Sequence, residues 1–206
     1  MTRVLLIRHG ETTWNRDRRW QGHADVPLSA EGLAQALRLA AFLKGECPSI
    51  RAVYSSDLRR ALDTARELAC ALGTELVADP AWREIELGHW TGLCRDEIRE
   101  RFPDEWRRIV DGEDLPRGGG ETFSAFSSRI VLALDALRKR HDGHIVAVVT
   151  HGGAIRAALL HALGLPWTRL RDVEAVANTA VNELRWHRGA WLVTKRNHTA
   201  HLGAQS

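Results

Sequence analysis

The sequence has 206 residues, 44% of them hydrophobic and 27% charged, as is typical of a globular chain long enough to bury its own core. Its 29 basic and 26 acidic residues leave a net charge of +3 and are interleaved along the chain, so we expect no nucleic-acid partner. The apolar runs are far shorter than a membrane span, and three cysteines without a C-x-x-C pair argue against a disulfide framework or a zinc knuckle.

The first predicted element is the apolar run VLLI, which passes without a turn into Arg8 and His9. Its apolar core is too short for a signal peptide, so we expect a cytoplasmic protein with no membrane association. A continuous apolar run is typical of a parallel strand covered on both faces. Because burying an unpaired cation costs several kcal/mol, the arginine and the histidine at its end indicate a polar site.

Helices and strands alternate through the middle of the chain. Amphipathic helices are predicted from Ser29 to about Lys44, from Asp57 to about Leu72 and from Thr122 to about Arg140, and strands at RAVYSS and HIVAVV. This order predicts an α/β fold, a three-layer sandwich with a mostly parallel central sheet and helices on both faces. We expect residues 1–206 to form a single domain.

The segment from Leu93 to about Gly120 has no apolar run of its own. It is predicted to be a small helical and loop insertion, about residues 93–120, that caps the open end of the sheet and ends in the flexible LPRGGGETF. Its six arginines and eight acidic residues predict no bulk trap for anions. The C-terminal stretch alternates like a hairpin that turns at Arg188 and Gly189 and extends the sheet.

Polar residues follow three of the predicted strands. Ligands in parallel sheets bind beyond the carboxyl ends of the strands, where Arg8, His9, Arg59 and His151 are all expected. The glycines after His151 would begin a helix whose free N–H groups point into the same crevice. Arginines, glycines and a helix N-terminus together predict a phosphate site.

Two histidines in such a site indicate catalysis rather than binding alone. A neutral imidazole can attack phosphorus, and a second imidazole, held as a cation by the phosphate oxygens, can stabilise the transition state. The leaving oxygen then needs a carboxylic acid. Glu84 and Glu86 in WREIELGHWTG would share one face of an extended chain, and Glu11 is a third candidate, so the residues alone do not choose among them.

Four blocks carry a resemblance to a known family: LIRHGETTWN, YSSDLRRALDTA, WREIELGHWTG and VVTHGGAIR. They resemble, in the same order, the signature blocks of the histidine phosphatase superfamily in its phosphoglycerate-mutase-like branch. The resemblance implies His9 as the phosphorylated nucleophile and Glu84 as the proton donor that later activates water. It implies a phosphate pocket of Arg8, Asn15, Arg59, His151 and Gly152. It implies no metal and no cofactor.

The family contains phosphatases and mutases, and REIELGHWTGLCRDEI is similar to the small bacterial phosphatases. We therefore predict a phosphatase of small phosphorylated metabolites, with a cofactor-dependent phosphoglycerate mutase or a non-catalytic phosphate binder as alternatives. A metal-dependent hydrolase with histidine ligands is a further rival. The residues expected to line the substrate pocket are Trp14, Gln21, Gly22 and Arg95. The substrate and a homodimer are left open.

Overall fold

A six-stranded sheet forms the centre of the part of the chain that the computed structural model describes, residues 1–203. Its strands are β1 Arg3–Arg8, β2 Ile50–Ser55, β3 Leu76–Ala78, β4 Ile145–Thr150, β5 Val181–His187 and β6 Ala190–His198. In space their order is β3-β2-β4-β1-β5-β6; the first four are parallel, and the C-terminal pair is antiparallel. The mostly parallel sheet is as predicted.

Helices cover both faces of the sheet. They are α1 Thr13–Arg16, α2 Ala30–Glu46, α3 Arg59–Leu72, α4 Arg95–Arg101, α5 Pro103–Val110, α6 Phe123–Arg140 and α7 Gly152–Ala162. Alternate residues of β1 serve opposite faces: Leu5 and Ile7 pack with α2 and α3, whereas Val4 and Leu6 pack with α6 and α7. The predicted three-layer α/β arrangement is therefore confirmed. No helix in residues 1–203 combines the length and the apolar character that crossing a membrane requires.

The predicted helix starts and the hairpin are confirmed in most places. Ser29 and Thr122 each accept a hydrogen bond from the backbone N–H three residues later and cap α2 and α6. The hairpin turns at Arg188 and Gly189, both with positive φ. The helix expected from Asp57 begins two residues later, as α3, and this shift affects the active site.

Two predictions about local structure are wrong. The stretch around Glu84 and Glu86 is not an extended strand but a loop between two short 3₁₀ turns. The glycine-rich loop is not free: the Gly118 N–H donates to Glu105, and the Glu121 N–H donates to the Glu86 carbonyl. A Cβ on Gly118, whose φ is +58°, would lie 2.2 Å from the Leu87 carbonyl oxygen. The loop is thus packed against the segment that carries the two glutamates.

Candidate active site

The ends of β1, β2 and β4 bring the site together. Arg8 pairs with Thr150 across β1 and β4, so the two residues that follow them, His9 and His151, become neighbours. Their ring centroids are 5.2 Å apart. A cavity of about 290 Å³ opens above His9, and its lining includes Arg8, Arg60, Glu84 and the first two residues of α7. His9 lines this cavity, whereas His151, which was expected in the same crevice, is buried against the His9 ring and is not part of the lining.

His9 is buried and neutral in a defined tautomer. Its Nδ1 lies 2.7 Å from the Gly10 carbonyl oxygen, which can only accept, so Nδ1 carries the proton and Nε2 the lone pair. Burial and the positive charges of Arg60 and Arg8 hold the pKa of His9 well below 6.5. The imidazole is therefore unprotonated at neutral pH.

His151 lies beneath the cavity, against His9. Its Nε2 is 2.9 Å from the Ser56 hydroxyl, and its Nδ1 has no hydrogen-bond partner within residues 1–203. Burial, Arg60 and His9 hold the pKa of His151 well below 6.5, so the imidazole is neutral while the pocket is empty. A bound phosphate dianion would raise the pKa of His151, because a nearby negative charge favours the imidazolium.

Two arginines, the partly buried Arg8 and the fully buried Arg60, bring positive charge to the pocket beside His9. Arg8 donates from Nη1 to the Val176 carbonyl, at 2.6 Å. Arg60 donates to the carbonyls of Ala24, at 2.6 Å, and Gly22, at 2.8 Å, and burial lowers its pKa to about 10. The Nε atoms of both arginines are buried without a partner in the described chain. Carbonyls thus orient each guanidinium while donors stay available for an anion.

Arg59, the arginine predicted for this pocket, is not in it. Its side chain is 62% exposed and lies 3.5 Å from Asp63, and its backbone N–H donates to Asp25. Successive residues of a helix point about 100° apart, so with α3 beginning at Arg59 the next residue faces the sheet. Arg60 occupies the position that the sequence prediction assigned to Arg59.

Among the three candidate carboxylates, Glu84 is the one that lines the cavity. One of its oxygens accepts from the Gly153 N–H, at 2.9 Å, and the other from the Ile85 N–H, at 3.0 Å. A Cβ on Gly153 would lie 2.2 Å from Oε1, so any larger residue there would displace the carboxylate from this position. The first turn of α7 therefore holds the carboxylate at the pocket.

The other two carboxylates have partners elsewhere. Glu86 lies 2.7 Å from His23 Nδ1 and accepts from the N–H groups of the next two residues. Glu11 accepts from the Ser29 hydroxyl, at 2.9 Å. His23 also reaches the acid-bearing loop, since its Nε2 donates to the Glu84 carbonyl, at 2.8 Å.

Of the remaining predicted residues, Asn15, Gln21, Gly22 and Gly152 line the cavity. The Oδ1 atom of Asn15 accepts from Thr12, which leaves its NH₂ group as the available donor. The two other predictions need correction. Trp14 lies outside the lining, with its ring over Gly92, and Arg95 lines a neighbouring cavity instead. Trp14 lies on α1 and turns its ring towards Gly92, and Arg95 is the first residue of α4 and holds its guanidinium over the Trp106 ring.

The family model for the histidine phosphatase superfamily (branch 1) matches residues 4–199. The chain belongs to this superfamily. It is 38% identical to phosphoglycerate mutase-like protein 4 of Arabidopsis thaliana, over 97% of this chain and 86% of that one. It is 35% identical to a metal-independent phosphoserine phosphatase of the same plant, over 99% and 84%.

The solved structures agree with the sequence relatives. A mutant phosphoserine phosphatase from Entamoeba histolytica in complex with phosphoserine superposes with a TM-score of 0.89, at 29% identity, over 98% of this chain and all of that one. The predicted family, the α/β fold and the predicted class, a histidine-type phosphatase of small phosphorylated metabolites, are confirmed.

Proposed function

We propose that the chain hydrolyses small phosphomonoesters in two steps, with His9 as the nucleophile and Glu84 as the acid and then the base. The observation that carries this proposal is the state of His9. Its Nδ1 is committed to the Gly10 carbonyl, and burial beside two arginines keeps the imidazole unprotonated. A neutral Nε2 lone pair in a strongly positive pocket suits attack on the phosphorus of a bound dianion.

In the first step Nε2 of His9 forms a bond to phosphorus while the bond from phosphorus to the ester oxygen breaks. The leaving oxygen takes the electron pair of that bond and a proton from the Glu84 carboxyl group. Arg8 and Arg60 neutralise the charge on the transferring group, so the scheme uses no metal. His151, protonated as the phosphate binds, donates to an equatorial oxygen.

In the second step the Glu84 carboxylate takes a proton from a water molecule, and the water oxygen attacks the phosphohistidine. The bond between phosphorus and Nε2 breaks, and its electron pair returns to the imidazole. Inorganic phosphate leaves, Glu84 keeps the proton taken from water and is again the acid with which the cycle began, and His151 returns to the neutral form by losing the proton it gained when the phosphate bound. This reversal of roles requires one carboxyl group that reaches both the leaving oxygen and the water, and Glu84 is the one that lines the pocket.

The size of the pocket and the relatives support the same substrate class. A cavity of about 290 Å³ admits a phosphate with a short attached group. One structural neighbour holds phosphoserine, and a relative is named a phosphoserine phosphatase. We therefore propose a small phosphorylated hydroxy acid as the first substrate to examine. Return of the phosphoryl group to a second hydroxyl, as in a mutase, is the alternative and would appear as an isomerised phosphoglycerate.

The remaining expectations from the sequence stay predictions. The chain is expected in the cytoplasm, as a single domain with a cap at about residues 93–120, and a homodimer is still open. The three cysteines, Cys47, Cys70 and Cys94, are unbonded, as a reducing compartment favours.

The test is to trap the intermediate with a labelled aryl phosphate, whose leaving group needs little protonation. We expect an acid-labile, base-stable label on the protein that is lost in His9→Ala and retained in His161→Ala, an exposed histidine on α7. In Glu84→Gln the label should accumulate, because the second step lacks its base. Glu86→Gln is the matched control and should not accumulate it. An acid-stable label would exclude a phosphohistidine.

A further inference from the structure

A second cavity, of about 700 Å³, lies beside the phosphate pocket. The two cavities share Trp20, Arg117 and Leu170 as lining residues, so they meet along a common wall. The second cavity lies between the cap and the segment that follows α7. We call it the arginine chamber after four residues of its lining, Arg95, Arg117, Arg156 and Arg171.

The four arginines come from four different elements and converge on one cavity, and the acidic residues that act on two of them, Asp114 on Arg117 and Glu84 on Arg156, lie outside its lining. They belong to α4, the Arg117–Gly119 turn, α7 and the 3₁₀ segment Trp167–Asp172. Within residues 1–203 none of the four forms a salt bridge, and the lining of the chamber contains no aspartate or glutamate. The lining of the chamber therefore carries an excess of positive charge.

The other arginines of the cap differ in this respect. They pair with acidic residues on the outside of the cap, as Arg99–Asp96, Arg101–Glu97, Arg107–Asp104 and Arg108–Glu113. The sequence of residues 93–120 contains similar numbers of basic and acidic residues, but the fold places them on different sides of the segment. The acidic residues neutralise the outer surface and leave the inner one basic.

Aromatic rings complete the chamber. Trp20, Trp90, Trp106 and Trp167 contribute to its lining. The Arg95 guanidinium lies 5.4 Å from the centroid of the Trp106 ring, a distance at which the ring helps to hold the cation in place. Arg117, at the wall shared with the phosphate pocket, has a buried Nη1 without a partner in the described chain. Indole faces next to guanidinium groups suit a ring that carries a negative charge.

We propose that the arginine chamber binds the part of the substrate that does not react, a ring that bears a second anionic group, carboxylate or phosphate. This inference rests on the proposed function, since the reacting phosphate lies at His9 in the adjoining pocket. Arg117 contacts the junction between the two parts. Arg95, Arg156 and Arg171 face the distal anion, and Trp106 and Trp167 contact the ring. The chamber makes the enzyme selective for phosphomonoesters whose ring carries an additional anionic group.

Two pairs of phosphomonoesters test the proposal and separate the two kinds of anion. The first pair is 4-(carboxymethyl)phenyl phosphate against 4-ethylphenyl phosphate, and the second is fructose 1,6-bisphosphate against fructose 6-phosphate. In at least one pair, we expect the compound with the additional anionic group to have a kcat/KM about tenfold higher than its partner, through a lower KM. The advantage should shrink as ionic strength rises.

The variant Arg95→Gln/Arg171→Gln should abolish most of this preference. Both side chains are exposed, so the protein is expected to fold normally. Arg99→Gln, which removes a cation of α4 that pairs with Asp96 on the outer face, is the matched control and should keep the preference. A preference in the first pair alone identifies a carboxylate, and one in the second pair alone a phosphate.

The proposal is overturned if neither pair shows a preference, or if the preference survives in Arg95→Gln/Arg171→Gln. Failure of the proposed function gives a different result, since then 4-ethylphenyl phosphate and fructose 6-phosphate, which lack the additional anionic group, would not be hydrolysed either. In that case calorimetric titration of both pairs into His9→Ala compares the same ligands without turnover. Equal affinities within each pair in that titration would likewise overturn the proposed role of the chamber.

Discussion

At the scale of single residues, the pocket depends on which of two adjacent side chains faces inward. Arg60 is completely buried and held by two carbonyls, whereas Arg59 lies in solvent. The sequence contained a signal for this choice. Arg60 falls in the same helical stripe as the buried Thr64 and Leu68, whereas Arg59 falls in the stripe of the ion-paired Asp63.

The adjacent arginines give a matched test. We expect Arg60→Lys to lower kcat/KM on any phosphomonoester by about a hundredfold, because lysine cannot contact both carbonyls and the phosphate at once. Arg59→Lys should change kcat/KM by less than about twofold, since its only ion pair is exposed. Steady-state kinetics on one aryl and one alkyl phosphate measure both. Equal losses in the two variants would contradict the assignment.

The glutamates show where reasoning from the sequence reached its limit. Glu84 and Glu86 share a face in an extended chain, and spacing alone could not separate them. In the loop that actually forms, Glu84 meets the N-terminus of α7 and Glu86 meets His23. The deciding contacts involve residues more than sixty positions away in the sequence, and no local pattern records them.

At the scale of elements, the loop Gly118–Gly120 and the loop of Glu84 act as one unit. Glycines at both sides allow backbone contact: a Cβ on Gly88 would lie 1.9 Å from the Gly118 carbonyl oxygen. Arg129 of α6 donates to the carbonyls of Arg83 and Glu84, and forms an ion pair with Glu121. Residues 117–121 are thereby tied to the segment that presents the Glu84 carboxyl group.

This contact predicts unequal effects of two neighbouring substitutions. Gly118→Ala should lower the free energy of unfolding by about 3 kcal/mol, because positive φ is strained for alanine and the new methyl group clashes with the Leu87 carbonyl. Gly119→Ala, also at positive φ but with only an ordinary contact of its Cβ to His89 at 3.9 Å, should cost about 1 kcal/mol. Urea denaturation measures both. A similar cost in the two variants would show that the loops are not packed as described.

At the scale of the whole molecule, the fold determines which surfaces are basic and which are neutral, and the composition does not reveal this. The strand and helix order was predictable from the sequence because apolar periodicity is local, and so was the meeting of His9 and His151 at the strand ends. The arginine chamber was not predictable, because it collects residues from four elements. Counting the charges of the cap suggested that it would not attract anions, whereas its inner side is basic.

Buried neutral histidines also make the stability of the molecule depend on pH. Burial lowers the pKa of His9 and His151 well below 6.5 and that of His201 to about 4. Below pH 6.5 the unfolded chain binds protons that the folded chain does not, so acidification favours unfolding. Each histidine contributes up to about 1.4 kcal/mol per pH unit until its folded pKa is reached.

We therefore expect the free energy of unfolding, measured in urea without phosphate, to fall steadily from pH 6.5 to 5.5. The slope should be shallower in His9→Asn/His151→Asn and unchanged in His161→Asn, whose side chain is exposed. Identical slopes in all three proteins would mean that the two buried imidazoles titrate normally.

Strand β1 lies between β4 and β5, and this position has a consequence for how the protein is made. Its register joins Arg3 to Ile145 on one side and to Arg185 on the other, so both partners are synthesised long after it. A ribosome must translate most of the chain before this apolar strand can be covered. His9 consequently stays outside any formed pocket until the end of β4 has emerged. Under the proposed mechanism, a nascent chain cannot be phosphorylated at His9 before Glu84, the residue that would activate the water, is also present.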